Sequence, residues 1–125
     1  MAYINDDVLD AACDYIGDNT ENLYITDDTA APDTFTKASD TYKCGVKASP
    51  GFTGPANGDV SGRKITCDAI SDGTISSTAT AKYFALTDDS DSMLLLYEEL
   101  DSTQSVTSGN TFSLTAFDIE FPDPA

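Results

Sequence analysis

The 125-residue sequence contains no histidine and only six basic residues. Without histidine the commonest general base at neutral pH is missing, and no Ser or Cys stands in a nucleophile-elbow context. The sequence therefore predicts a protein that is not an enzyme and needs no cofactor. Six Lys and Arg against 22 Asp and Glu leave no cluster of cations to contact phosphates, so nucleic-acid binding is not expected. An anionic membrane surface is disfavoured for the same reason. No apolar run approaches the ~18 residues that a spanning helix requires. The opening Met1-Ala2-Tyr3-Ile4-Asn5-Asp6-Asp7 has neither the basic start nor the apolar stretch of a secretory signal. Synthesis and assembly from the cytoplasm are expected.

Cysteine is also scarce. Cys13, Cys44 and Cys67 are odd in number and lack CxxC spacing, and with no histidine the common zinc constellations are absent. They read as small buried hydrophobes of a reducing compartment. Gly45, Gly51, Gly54 and Gly58 make no phosphate loop, since no Gly-Lys-Ser/Thr follows them.

What the chain has in excess is negative charge, a formal −16. Like-sign charge of this size keeps a protein dispersed, and it also attracts a basic partner surface or a cation. Both uses stay open. Closely spaced Asp88, Asp89 and Asp91 have the hard oxygens a calcium ion takes, but they lack the Gly and distal Glu of an EF-hand loop. A solvated turn is the alternative for them, as it is for Glu98 and Glu99.

The length suits a single domain over residues 1–125. Asn5 or Asp6 can cap a helix over about residues 5–17, and Asp6 and Asp7 suit the positive end of its dipole. Val8, Leu9, Ala12, Cys13 and Ile16 fall at helical spacing on one face, with Tyr15 at its edge, and Gly17 offers a stop. Leu23 to Thr26 and Cys44 to Ala48 are short strand candidates in a loop-rich segment over about residues 26–62. Within it, Pro50 to Gly58 is a dense turn cluster in which regular pairing is not expected. Its Phe52 either reaches a neighbouring subunit or anchors the loop locally. Ser61-Gly62-Arg63-Lys64 is a basic spot that either meets an acidic neighbour or lies over the protein's own acidic surface.

From Arg63 the pattern predicts an antiparallel β body over about residues 63–121. Ile65, Cys67 and Ala69 alternate with polar residues, and Ser71-Asp72-Gly73 signals a hairpin turn. Met93 to Tyr97 reads as a strand buried on both faces, followed by a polar turn at Asp101 to Gln104. In Thr111 to Phe121 the apolar parity switches: Phe112, Leu114 and Ala116 first, then Phe117, Ile119 and Phe121. Either a bulge near Ala116-Phe117 or a strand between two packed sheets accounts for that switch. The fold class expected is mainly β, an antiparallel sandwich or barrel with one N-terminal amphipathic helix.

The run Gly62-Arg63-Lys64-Ile65, Asp72-Gly73, Ala81-Lys82-Tyr83-Phe84-Ala85-Leu86-Thr87-Asp88, Leu94-Leu95-Leu96, Gln104-Ser105-Val106-Thr107-Ser108-Gly109-Asn110-Thr111-Phe112, Thr115-Ala116-Phe117-Asp118-Ile119 and Pro122-Asp123-Pro124 resembles small structural proteins of tailed bacteriophages and prophages. Leu9 to Ile16 is similar to their opening helix. The resemblance spans most of the chain but consists of strand and turn patterns without chemistry. It implies a virion part present in many copies, a head decoration or cement protein on the outer capsid surface. Its partners would be the major capsid protein and other copies of itself, with Val8, Leu9, Phe52, Arg63 and Lys64 as candidate contacts. A tail or connector component is the nearest alternative, and a small cation- or carbohydrate-binding module is an alternative of another class.

Overall fold

The computed structural model describes residues 3–124. The chain is mainly β, 51% in strands, with one N-terminal helix and a strongly curled antiparallel sheet that forms a half-barrel. Its elements gather into two compact units, each assembled from separated stretches of sequence.

The first unit draws on both ends of the chain, up to Asn19 and from Thr115, and on Gly51–Ala69. Helix α1 (Asp6–Asn19) starts where Asn5 accepts the Asp7 amide on Oδ1 at 2.8 Å and the Val8 and Leu9 amides on its carbonyl. The side-chain bond satisfies one of the amides that a helix start leaves unpaired. The helix runs past Gly17, which is not its end. A Cβ at Gly17 would lie 2.9 Å from Ile65 Cδ1, so the glycine instead lets the helix approach the sheet beneath it. That sheet has three antiparallel strands in the order β3 (Phe52–Asn57), β4 (Arg63–Cys67), β9 (Phe117–Phe121). Leu9, Cys13 and Ile16 of the helix are buried, as are Ile65 and Cys67 of β4. Each large aliphatic side chain so removed from water contributes about 1.5–3 kcal/mol.

The existence of β3 corrects one expectation. The Pro- and Gly-rich stretch does pair with β4, through Phe52↔Cys67 and Thr53↔Thr66, then through Ala56↔Lys64 and Asn57↔Arg63 after a register shift. Gly54, with φ +124°, and the cis bond to Pro55 occupy that shift. Turn chemistry here shapes an irregular edge strand, where a missing proline N–H breaks no ladder.

The second unit comprises Thr20–Pro50 and Ile70–Leu114. Its six-stranded antiparallel sheet has the order β7 (Met93–Val106), β6 (Ala79–Asp88), β1 (Asn22–Asp27), β2 (Lys43–Ala48), β5 (Ile70–Ile75), β8 (Thr111–Leu114). Leu23, Tyr24, Ile25 and Thr26 of β1 are all buried, as are Phe84, Ala85, Leu86, Thr87 and Asp88 of β6. These central strands are covered on both faces. Part of the cover is a π-helical turn, Lys37–Thr41, which packs on β1, β2 and β6 and buries Ala38 completely. The stretch read as loop-rich thus contains β2, β3 and this covering turn.

Other expectations change as well. Met93 to Tyr97 is not buried on both faces: β7 is a sheet edge, its three leucines half-buried and Met93 and Tyr97 exposed. Asp101 to Gln104 lies within β7. There the pairing jumps from Tyr83↔Glu99 to Ala81↔Gln104, so the polar run bulges out opposite Lys82. Ser71-Asp72-Gly73 is part of β5, and Ala69 is exposed. The parity switch near Ala116 has a third solution. Thr111–Leu114 pairs with β5 in the six-stranded sheet and Phe117–Phe121 with β4 in the three-stranded one, so the chain changes sheet as it changes parity.

Candidate functional site

The three clustered aspartates sit where β6 ends in a 3-10 turn, Asp89–Asp91. Asp88 accepts the Asp91 amide on its side chain as the turn's N-cap, and Ser92 leaves it in the left-handed region at φ 52°. Asp89 accepts a hydrogen bond from the Tyr24 hydroxyl at 2.6 Å and another from the Thr87 hydroxyl at 2.5 Å. Burial alone would push the Asp89 carboxyl up. Together the hydrogen bonds from Thr87, Tyr24 and Asn22 outweigh it and hold the carboxyl below its usual range. These oxygens serve donors of the same chain. Among the described residues no three Asp, Glu or Cys side chains converge as metal ligands.

One neighbour was not legible in the sequence. Glu21, just before β1, accepts the Ser90 amide at 3.0 Å, while its own amide donates to the Thr87 carbonyl at 2.8 Å. Asp88 is only 4% exposed. Its carboxyl is raised by burial first and then by a hydrogen bond shared with Glu21, whose own carboxyl is lowered, chiefly by Ser90. Of the two, Glu21 therefore loses its proton first as pH rises. Sequence separation hid this pair, because only the β1–β6 ladder brings Asn22 opposite Thr87.

The candidate contact residues divide. Leu9 is 6% exposed and belongs to the core, which removes it as a partner contact. Its neighbour Val8 is 61% exposed, so it does not share the buried face of Leu9, Cys13 and Ile16 on which the spacing placed it. Phe52 is half-buried, with its Cβ 3.8 Å from where a Gly17 Cβ would stand, so it lies beside α1.

Arg63 and Lys64 are turned to their own unit. Arg63 Nε donates to Asp10 Oδ1 at 2.6 Å, and its Nη1 donates to Asn57 at 2.7 Å. Lys64 Nζ meets Asp59 at 2.8 Å and Asp118 at 3.0 Å. Hydrogen bonds from Thr66 and Lys64 hold the Asp118 carboxyl below its usual range. Of the two readings for this basic spot, the geometry matches the one in which it neutralises the protein's own carboxylates.

The same holds across the molecule. Lys37 pairs with Asp33, Lys47 with Asp72 and Lys82 with Glu99, while Lys43 lies 6.0 Å from the Tyr24 ring centre. All six cations are engaged within the chain, and most of the 22 carboxylates have none.

All three cysteines are free and buried. Burial pushes the Cys44 and Cys67 thiols up to about 11, with help from Asp27 and Asp68 respectively. Cys13 is raised by burial and by Asp10 and Asp14. A thiol held protonated is a poor nucleophile and a poor metal ligand.

Among the described residues no helix is long and apolar enough to cross a membrane. Comparison with protein-family models, curated proteins and solved structures found no match.

Proposed function

We propose that this protein is a structural component of a tailed-phage particle, bound to the outer surface of the head as a decoration or cement subunit. The observation that supports it most is the disposition of charge. The six Lys and Arg side chains each meet a group of their own chain, so carboxylates dominate the charge that the exterior offers a partner. Such a surface is repelled by packaged nucleic acid and favours the outer side of a shell. The resemblance of residues 62–124 to small phage structural proteins points the same way. A role in assembly rather than catalysis accords with inert thiols and with carboxylates committed to turns and caps.

On a repeating lattice, weak individual contacts sum to firm attachment, especially if several copies bind together. The major capsid protein is the partner this reading requires. The test is to quantify the protein in purified virions and to add it to expanded empty heads. Copy numbers on the order of hundreds, with saturable binding to heads, are expected for a lattice-bound subunit. A handful of copies would shift the address to the tail or connector, and absence from virions would end the proposal.

A further inference from the structure

Helix α1 is apolar on two sides. Leu9, Cys13 and Ile16 form the buried side. Val8, Ala11 and Tyr15 are exposed, Tyr15 at 47%. Their spacing of three, then four residues places them in one stripe along the outer flank. Asp7, Asp14 and Asp18, also exposed, follow along one edge of this stripe, at angles next to it on the helix. Among the described residues no ion pair engages them.

This row of acids works against the free helix. Asp10 and Asp14, and Asp14 and Asp18, are like-charge pairs four residues apart. Asp18 stands near the negative end of the helix dipole, and the last turn holds no basic residue. Among the described residues, Asp10 alone of these acids has its charge met from within, by Arg63. Cations supplied from outside along that edge would relieve the repulsion while the apolar stripe leaves water.

A second copy of this chain fits poorly. Two such helices packed antiparallel, face to face, would oppose their aspartate rows, and among the described residues each Lys and Arg side chain already has a partner of its own chain. An anionic membrane or a nucleic acid has the wrong sign. We infer that the outer face of α1 docks into an apolar groove edged by Lys or Arg on a different protein, with Val8 and Tyr15 as anchors and Asp7, Asp14 and Asp18 as the charged rim. The inference rests on the assembly reading above and adds the chemistry of the partner.

The test uses the full chain and a defined probe, an amphipathic helical peptide with Leu on one face and Lys along its edges. A control peptide carries Glu in place of Lys. Titration followed by amide NMR shifts is expected to move Val8, Ala11 and Tyr15 with the Lys peptide. Affinity should fall by at least about tenfold in the double variant Val8→Ser/Tyr15→Ser, since even partial burial of two apolar side chains implies that much. The triple variant Asp7→Asn/Asp14→Asn/Asp18→Asn should bind more weakly and lose most of the salt dependence. Both variants change exposed positions, and circular dichroism verifies that they fold. Equal binding of the Glu peptide, shifts centred elsewhere, or unchanged affinity in both variants overturns the inference. So does dimerisation of the free chain through α1 in analytical ultracentrifugation.

Virions separate this inference from the reading it rests on. If particles contain the protein and the Val8→Ser/Tyr15→Ser variant occupies them as well as the parent, the docking surface is wrong and the virion role stands. If the peptide results hold and virions lack the protein, the virion role is wrong and the surface stands.

Discussion

Arg63 Nε donates to Asp10 Oδ1 at 2.6 Å, linking β4 to the helix that covers it. Both side chains are largely shielded from water, and Asp10 would otherwise join Asp6 and Asp14 in a run of like charge one turn apart. The contact therefore does two things: it ties helix to sheet, and it cancels repulsion within the helix. Replacing Arg63 by Met leaves Asp10 uncompensated, whereas Asp10→Asn removes one of the repelling charges. Arg63→Met should lower the melting temperature clearly more than Asp10→Asn. Thermal melts at low and high salt check this, since screening should narrow the difference. Equal effects at both salt levels would show that the contact matters for packing alone.

Phe112 of β8 lies across Gly73 of β5. A Cβ added at Gly73 would overlap the ring, and one at Gly45 would come within 3.3 Å of it. An aromatic ring laid over a strand glycine fills the space its missing side chain leaves and returns packing at a weak point of the ladder. Gly73→Ala is expected to destabilise by about 1–3 kcal/mol, as overpacking does. In Phe112→Ala the added methyl has room, so the same change should there be nearly neutral. Urea unfolding of the four-member cycle measures the coupling, and additive effects would refute it.

Asp88 and its neighbours respond to pH in opposite senses. The Asp88 carboxyl titrates above its usual range, because burial and the bond with Glu21 favour the protonated form. Its contribution to stability is present in acid and is lost as pH rises past that raised value. Glu21, Asp89 and Asp118 titrate below their usual range. Their contributions are present at neutral pH and are lost as pH falls through those lowered values. Asp88→Asn keeps a donor for Glu21 and an acceptor for the Asp91 amide without the buried charge. It should melt higher than the parent at pH 7, and the gain should vanish below about pH 4, where a carboxyl is ordinarily protonated. Melting curves across that range decide it; a variant that melts lower at pH 7 would contradict the assignment.

The thiols should stay silent until the fold opens. Cys13, Cys44 and Cys67 are buried, and each is held protonated above the ordinary thiol range. A chromogenic disulfide reagent at pH 8 should find no reactive thiol in the native protein and three after denaturation. Rapid reaction of any one in the native state would show that its cover opens.

The sequence by itself determined whatever depends on neighbours along the chain. The start of α1 follows from Asn5, whose short side chain reaches an amide two residues on. The alternation of Ile65 and Cys67 against Lys64 and Thr66 follows from the twofold period of a strand. The turn at residues 89–91 follows from Asp88, whose side chain caps it, and the mainly β character follows from many short runs of alternating pattern. The irregularity at Ala116 was also visible there, though not its meaning.

Only the tertiary structure decided which faces are covered. Val8 and Leu9 are adjacent apolar residues on one helix, yet one faces water and the other the sheet, because packing selects a single side. Leu94 to Leu96 looks more like a core strand than Leu23 to Thr26, but β7 lies at the sheet edge and β1 at its centre. The Pro- and Gly-rich stretch became β3 because β4 supplied a ladder that local turn preference could not foresee. The pairing of Glu21 with Asp88 likewise exists only through the register of two strands far apart in sequence. The physical reason is common to all four: burial and pairing are properties of contacts between distant segments, and local pattern encodes the capacity for them without naming the partner.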